Sequence, residues 1–248
     1  MLSEERYDKI LKLLEEKGTV TVAEIVELFD ISESTARRDI LALHNAGRLV
    51  KVFGGAVALD KSYTAHEPTV AQKAEVNLEE KRLLGRYAAS LIEAEDFVFL
   101  DAGTTTGCMV EFLTETSACF VTNAVAHAQK LAARGLRVIL TGGKLKSSTE
   151  AVVGIQTVET LRQYHFTKGF FGTNGISRQA GFTTPDAGEA LVKKAAMEQC
   201  QSRYVLADAS KFGAVSSVTF APFHRAEILT DRTPEGYEDC GNVTVVKA

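Results

Sequence analysis

Ser34, Thr35, Arg37 and Arg38 stand within five positions of one another, in the stretch from Val22 to Asp39 (VAEIVELFDISESTARRD). Two guanidinium groups and two hydroxyls on one helical turn suit a nucleic-acid surface. Arg can bond the edges of guanine, and Ser, Thr and Arg can bond phosphate oxygens. Which of the two arginines would read a base is left open by the sequence. Lys51 lies a short distance along the chain and is expected to supply a wing contact.

A second group of chemistry-bearing residues recurs after short apolar runs. Asp101-Ala102-Gly103-Thr104-Thr105-Thr106 follows Phe97–Leu100 and leads into a helical stretch. Backbone N–H groups at a helix start, with three hydroxyls and a glycine, make a phosphate cradle. Thr122-Asn123, Thr141-Gly142-Gly143-Lys144, Gly172-Thr173-Asn174-Gly175 and Asp208-Ala209-Ser210-Lys211 each follow another such run. Singly, each is an ordinary turn. Together they offer amides and lysines for a phosphate, and Asp and Asn for hydroxyls, which is the inventory for a phosphorylated polyol. Gly181 to Asp186 and then Glu189 border the same set.

Elements must position these residues. Thr21 followed by Glu24 predicts a capping box at the start of one helix, and Val22, Ile25, Val26 and Phe29 give that helix its apolar face. Ser32 is the expected N-cap of the next helix, whose Ala36, Ile40 and Leu43 face inward and leave the arginines outside. An earlier amphipathic helix (Tyr7, Ile10, Leu11, Leu14) is expected to end near Gly18, and the third near Gly47. Leu49–Val52 and Ala56–Leu59 flank Phe53-Gly54-Gly55, which predicts a β-hairpin wing. The expected whole is a winged helix-turn-helix over residues 1–59, a linker over 60–75 carrying Pro68, and a second domain over 76–248. In that domain strands at Phe97–Leu100, Phe120–Thr122, Val138–Leu140, Gly169–Phe171, Tyr204–Ala207 and Ala226–Thr230 alternate with helices. Such alternation calls for an α/β domain built on a parallel sheet covered on both faces, with ligands beyond the carboxyl ends of its strands.

The chain has 248 residues, 45% of them hydrophobic, and a net charge of −4. An acidic total is compatible with DNA binding, because the charge is unevenly placed. Residues 1–33 carry a balance of −5 and residues 34–58 one of +3. No apolar run approaches a membrane span, and the charged N-terminus does not read as a secretory signal, so a cytoplasmic protein with no membrane partner is expected. Cys108, Cys119, Cys200 and Cys240 are scattered and read as reduced thiols. His44, His66, His127, His165 and His224 show no metal or triad spacing and read as surface or core-edge histidines. No GxGxxG follows a strand, and no cofactor is expected.

Eight ordered motifs then carry a resemblance: SESTARRDI, KVFGGAV, LDAGTTT, VTNA, LTGGKLK, FFGTNGIS, GFTTPD and LADASKFG. Along its whole length the chain resembles the DeoR-type bacterial repressors. VTNAVAHAQKLAARG, TEAVVG and HFTKGFFGTNGIS look like the fructose-operon repressors of Gram-positive bacteria. The resemblance implies a sensor domain related to ribose-5-phosphate isomerase and glucosamine-6-phosphate deaminase folds. It also implies a phosphorylated sugar effector (fructose 1-phosphate in the narrower group), double-stranded operator DNA as partner and a homo-oligomer, dimer or tetramer. Carried onto this sequence it makes Asp101 to Thr106 the phosphate loop, and Lys81, Asp208 and Lys211 the charged positions that report effector binding. On its own residues Lys81 sits in Glu79-Glu80-Lys81-Arg82 and reads as a solvated surface lysine. The isomerases place carboxylates after the strand equivalent to Gly169–Phe171. Here that loop is Gly172-Thr173-Asn174-Gly175, whose Asn cannot take a proton near neutral pH. A binding site without catalysis is therefore expected, the alternative being a sugar-phosphate isomerase or deaminase-like enzyme carrying a DNA-binding domain.

Overall fold

Apolar residues at helical spacing close three helices, α1 (Ser3–Lys17), α2 (Val22–Phe29) and α3 (Glu33–Asn45), around one small core. Ile10, Leu14, Ile25, Ala36, Ile40 and Leu43 form it, each at most 3% exposed. The computed structural model describes residues 3–17, 19–46, 48–52, 54–57, 69–114 and 117–247. The chain divides into two units, Met1–Lys61 and Ser62–Ala248. Gly18, Gly47, Phe53, Ala58, Leu59 and residues 60–68, Pro68 among them, lie outside the described residues.

The first helix starts follow the expected caps. The Glu24 N–H donates to Thr21 Oγ1 at 3.1 Å, and the Thr21 N–H to Glu24 Oε2 at 2.8 Å. The Thr35 N–H donates to Ser32 Oγ at 3.3 Å, which opens α3. Between them Asp30 ends α2 in the left-handed region, φ 50°. A short strand the sequence did not suggest, β1 (Thr19–Thr21), joins β2 (Val50–Val52) and β3 (Gly55–Val57) in an antiparallel sheet of order β1-β3-β2. Three residues show too little alternation to be told from a loop. Gly54 turns the wing at φ +82°, and a Cβ on Gly55 would stand 2.2 Å from the Val20 carbonyl, so that position excludes any side chain.

The second unit opens with α4 (Val70–Ala74), a short helix within the stretch expected as linker, and α5 (Leu78–Ser90). Then come β4 (Phe97–Leu100), α6 (Thr104–Phe112), β5 (Cys119–Thr122), α7 (Val125–Ala133) and β6 (Arg137–Leu140). A ribbon of β7 (Lys144–Lys146) and β8 (Ala151–Val153) precedes α8 (Ile155–Arg162) and β9 (Phe166–Gly172). The chain continues through β10 (Gly175–Ser177), β11 (Gly181–Thr184), α9 (Ala187–Glu198), β12 (Cys200–Leu206), β13 (Val218–Ala221), β14 (Glu227–Thr230) and β15 (Val243–Val245).

Seven of these strands form one parallel sheet of order β15-β14-β12-β9-β4-β5-β6. Consecutive side chains point to opposite faces, so Phe99, Phe171 and Val205 pack under α8 and α9 while Leu100, Phe170 and Leu206 pack under α5 and α6. Burial on both faces is why these strands read as continuous apolar runs. From β4 the chain winds one way to β5 and β6, and from β9 it winds the other way to β12, β14 and β15. The reversal lies between β4 and β9, where such sheets hold ligands beyond their carboxyl ends. The β7–β8 ribbon and a small β10-β11-β13 sheet stand outside the expected alternation, being built of strands of three or four residues.

Candidate functional site

In the first unit, Ser34, Arg37, Arg38 and Lys51 are exposed and Thr35 is half-buried. Ser32 Oγ lies 2.9 Å from both Ser34 Oγ and Thr35 Oγ1, so the hydroxyls cluster at the start of α3. Arg37 Nε donates to Glu33 Oε1 at 2.8 Å, one turn back on the same helix. Arg38 has no partner among the described residues. Asp39 turns inward, 2% exposed, and accepts from Arg6 at 2.6 and 3.0 Å, which ties α3 to α1. The acid counted against the basic stretch is thus neutralised on the inner side, and the outer face of α3 keeps its positive charge. Lys51 follows at the start of the wing, where its N–H meets His44 Nδ1 at 3.4 Å.

In the second unit the expected effector residues separate into groups by what they touch. Asp101, 1% exposed, accepts from the Gly172 N–H at 3.0 Å across the β4–β9 switch point and from Lys193 Nζ. Lys193 also donates to the Gly172 carbonyl at 3.2 Å. Burial pushes the Asp101 carboxyl up, opposed by Lys193. Thr106, fully buried, donates to the carbonyls of Asp101 and Gly103 at 2.8 and 3.0 Å, and so shapes the loop. Thr104 and Thr105 are half-buried, and the amides of this first turn precede the first helical bond, Gly107 N–H to the Gly103 carbonyl. No side chain caps them. Gly103 is extended at φ 167°, a conformation any residue adopts, so its value here is the room it leaves.

Thr122 and Asn123 serve the turn beside this loop. Thr122 Oγ1 accepts from the Ala124 N–H at 3.0 Å, and Asn123 accepts from the Ala102 N–H at 3.0 Å while donating to the Val152 carbonyl at 3.2 Å. Asn174 accepts from Thr184 Oγ1 at 3.2 Å inside the β10–β11 hairpin, and Gly175 is fixed by the Ala214 carbonyl, 2.4 Å from where a Cβ would stand. Gly143 packs equally closely on Thr157 Oγ1. Lys144 is exposed, without a bond to the other expected residues.

Lys81, Asp208 and Lys211 do come together. Lys81 is not a solvated lysine: it is 4% exposed, and its ammonium is donated to the Lys73 carbonyl. Burial pushes that ammonium down, as does Lys211, while Asp208 and Cys108, one turn along α6 from Thr104, favour its charge. Asp208 Oδ1 accepts from Asn77 Nδ2 and the Ser210 N–H, both at 3.0 Å, and from Ser210 Oγ. Asp208 Oδ2 is buried with no partner among the described residues. A buried carboxylate oxygen near the Lys81 charge, with no protein donor among the described residues, is suited to a ligand hydroxyl.

Several residues escaped the sequence reading. Asn77 opens α5 in the left-handed region, φ 53°, a conformation Asn tolerates, and its amide orients Asp208. Lys193 lies one turn after Glu189 on a face with Ala190, Ala196 and Met197, so its burial could have been found from the helical period. Lys146, not Lys144, turns toward α9, with Asp186 at 3.1 Å and Glu189 at 3.3 Å. Thr149 also donates to Glu189, at 2.5 Å. His127 is neither surface nor edge. It is 6% exposed under the loop that follows β4, its Nε2 3.1 Å from the Gly103 carbonyl. Burial pushes its pKa down to about 4.

Comparison with known proteins agrees with this division. A family model described as the DeoR C terminal sensor domain matches residues 76–232, and one described as the DeoR-like helix-turn-helix domain matches residues 6–62. An uncharacterized HTH-type transcriptional regulator, FruR of Bacillus subtilis, is 41% identical over 252 residues, covering 100% of both chains. A lactose phosphotransferase system repressor of Streptococcus mutans is 33% identical over 93% of this chain and 91% of its own. The HTH-type transcriptional repressor GlcR of Bacillus subtilis is 33% identical over 94% and 90%. Among solved structures, ribose 5-phosphate isomerase A of Methanocaldococcus jannaschii aligns at TM-score 0.42 and 14% identity over 55% of each chain. The sorbitol operon regulator SorC of Klebsiella pneumoniae aligns at 0.39 and 13% over 84% of this chain and 91% of its own.

Proposed function

Because the chain belongs to the DeoR family of helix-turn-helix regulators, we propose that it is a cytoplasmic repressor of a sugar-utilisation operon, probed at its sensor rim by a phosphorylated sugar. Fructose 1-phosphate is the effector we assign, on the likeness of its sensor motifs to fructose-operon repressors. One observation carries the reading: Asp208, held by Asn77 and within the electrostatic reach of Lys81, which also feels Lys211, keeps its Oδ2 buried with no partner among the described residues. The lysines and the amides of Thr104 to Thr106 serve a phosphate, and Asp208 a sugar hydroxyl. Ser34, Thr35, Arg37, Arg38 and Lys51 serve the operator, with two or four copies of the chain holding pairs of winged units on half-sites.

An enzyme of the isomerase or deaminase kind finds its support in Asp101, Glu189 and Lys193, which gather at the β4–β9 switch point. Both carboxylates are held there: Asp101 by Lys193 and the Gly172 amide, Glu189 by Lys146 and Thr149. Carboxylates engaged in ion pairs are poor candidates for shuttling a proton between adjacent carbons. That favours binding over turnover.

Titration calorimetry with fructose 1-phosphate, fructose 6-phosphate, fructose 1,6-bisphosphate and tagatose 6-phosphate tests the site. Selective heat with fructose 1-phosphate, lost in Lys211→Ala, is the expected result. Silence with all four would remove the sugar-phosphate reading, and conversion of ribose 5-phosphate or glucosamine 6-phosphate would replace it with the enzyme.

A further inference from the structure

The first described helix of the sensor unit, α4, is poorly equipped to hold itself in place. It has five residues, none of them buried, and a helix this short is unstable without help. Its own capping box, Thr69 with Gln72, closes the N-terminus. Its first and last turns are each hydrogen-bonded to the rest of the unit. The Val70 N–H donates to the Ser148 carbonyl at 3.1 Å, on the turn of the β7–β8 ribbon. The Lys81 ammonium is donated to the carbonyl of Lys73, one of the last-turn carbonyls that a helix leaves without an internal partner.

Both attachments lead to the sensor rim. Ser148 stands between Lys146 and Thr149, which bind Glu189 beside the Asp101–Lys193 pair. Lys81 faces Lys211 and Asp208, and its place in α5 is set by Asn77, the residue that also holds Asp208. A single cation therefore belongs to two structures at once: the charged cluster at the end of β12, and the C-terminus of α4, the first described helix after the DNA-binding unit.

We propose that Lys81 couples the sensor site to α4: its ammonium clamps α4 through the Lys73 carbonyl, and a phosphate entering between Lys81 and Lys211 draws it off and releases the helix. The displacement step rests on the sugar-phosphate reading of the rim; the clamp does not. A phosphate dianion outcompetes a neutral carbonyl for an ammonium group, because it adds the attraction of opposite charges to the hydrogen bond that either acceptor makes. An effector with such a preference shifts α4 between held and released states, as differential affinity requires. Released, α4 no longer fixes the point from which the chain runs back to the winged unit.

Hydrogen exchange of the full chain over residues 70–74 tests this. Without any ligand, Lys81→Met is expected to raise exchange there about tenfold, the population change set by losing one hydrogen bond to a charged group. Arg82→Gln, at the next position of α5, loses a surface pair with Glu111 but leaves the ammonium on Lys73, and is expected to leave that exchange unchanged. An unchanged rate in Lys81→Met, or an equal rise in Arg82→Gln, overturns the clamp. In the unaltered chain, fructose 1-phosphate at a concentration calorimetry shows to be saturating is expected to speed the same amides. Binding without faster exchange overturns the displacement step, and decides the matter if Lys81→Met does not fold. Absence of binding removes the effector reading and the displacement with it, while the ligand-free variants still decide the clamp.

Discussion

Lys193 on α9 and Asp101 at the end of β4 form an ion pair whose side chains are 5% and 1% exposed. Taking away one member strands the other in a medium that cannot solvate it, which commonly costs about 3–5 kcal/mol. Lys193→Met is therefore expected to destabilise the sensor unit by about that much at neutral pH. The deficit has a sign in pH. Burial pushes the Asp101 carboxyl up, so the folded form holds its proton more tightly than the unfolded chain, and stability falls as pH rises above the ordinary carboxylate value of 3.8. Without Lys193 the carboxyl rises further, and the fall continues to higher pH. Urea unfolding at pH 5 and pH 8 should show the smaller deficit at pH 5. Equal deficits would mean the pair is not the buried charge pair described here.

His127 works in the opposite direction. Its pKa, lowered from 6.5 to about 4, means that the folded form binds its proton less well than the unfolded chain. Stability is then complete above about pH 6.5 and is lost as pH falls toward 4. A shift of this size is worth roughly 3 kcal/mol. With Nε2 donating to the Gly103 carbonyl, the proton of the neutral ring sits on Nε2 and Nδ1 is bare. The imidazole resonances of His127 should not titrate between pH 7 and pH 5, and His127→Gln should flatten the acid side of the stability profile. Titration near 6.5 would show the ring to be open to water.

On α3 the two arginines differ in what they must give up to reach DNA. Arg37 has to leave Glu33, whereas Arg38 has no partner among the described residues. Arg38→Ala is expected to weaken binding by about 1–3 kcal/mol if it reads a base, and to lower the salt slope by about one if it meets a phosphate. Glu33→Gln removes a negative charge from the turn proposed to meet DNA and frees Arg37, so affinity for unrelated DNA should rise and grow more salt-dependent. Fluorescence anisotropy across a range of salt concentrations measures both. No change in either variant would move the DNA-binding face away from the start of α3.

Local rules read the first unit well. Thr21, Glu24 and Ser32 are caps whose partners are three residues away, and Val22, Ile25 and Phe29 in α2 and Ala36, Ile40 and Leu43 in α3 repeat at the helical period, so nearby residues carry the whole signal. The central strands were legible for a similar reason: Phe97–Leu100 and Phe170–Phe171 are apolar on both faces because helices cover both. The site was legible mainly by position, since turns at strand ends are where a parallel sheet exposes backbone amides. What those turns do was harder to see. Thr106, Asn123 and Asn174 have the chemistry to bind a sugar phosphate, yet in the fold they brace neighbouring turns through contacts 3 to 29 residues distant. Lys81 and His127 were misread because a polar side chain on a helix is usually solvated, and only partners elsewhere in the chain reveal otherwise, whereas the helical period of α9 carried the burial of Lys193. Lys146 and Lys144 share a strand face, and no local pattern says which one meets Glu189.

Release of DNA by the effector is the most direct test of the whole reading. DNA ligands selected by the full chain from random sequence, labelled and bound at physiological salt, would be titrated with fructose 1-phosphate and, in parallel, with unphosphorylated fructose. The reading predicts that the phosphorylated sugar alone changes the affinity for the selected DNA by about 5–150-fold, the usual range of coupling between two sites, and that Lys211→Ala binds the DNA but no longer responds. An affinity indifferent to every phosphorylated sugar, in a chain that binds its selected DNA tightly, would contradict it.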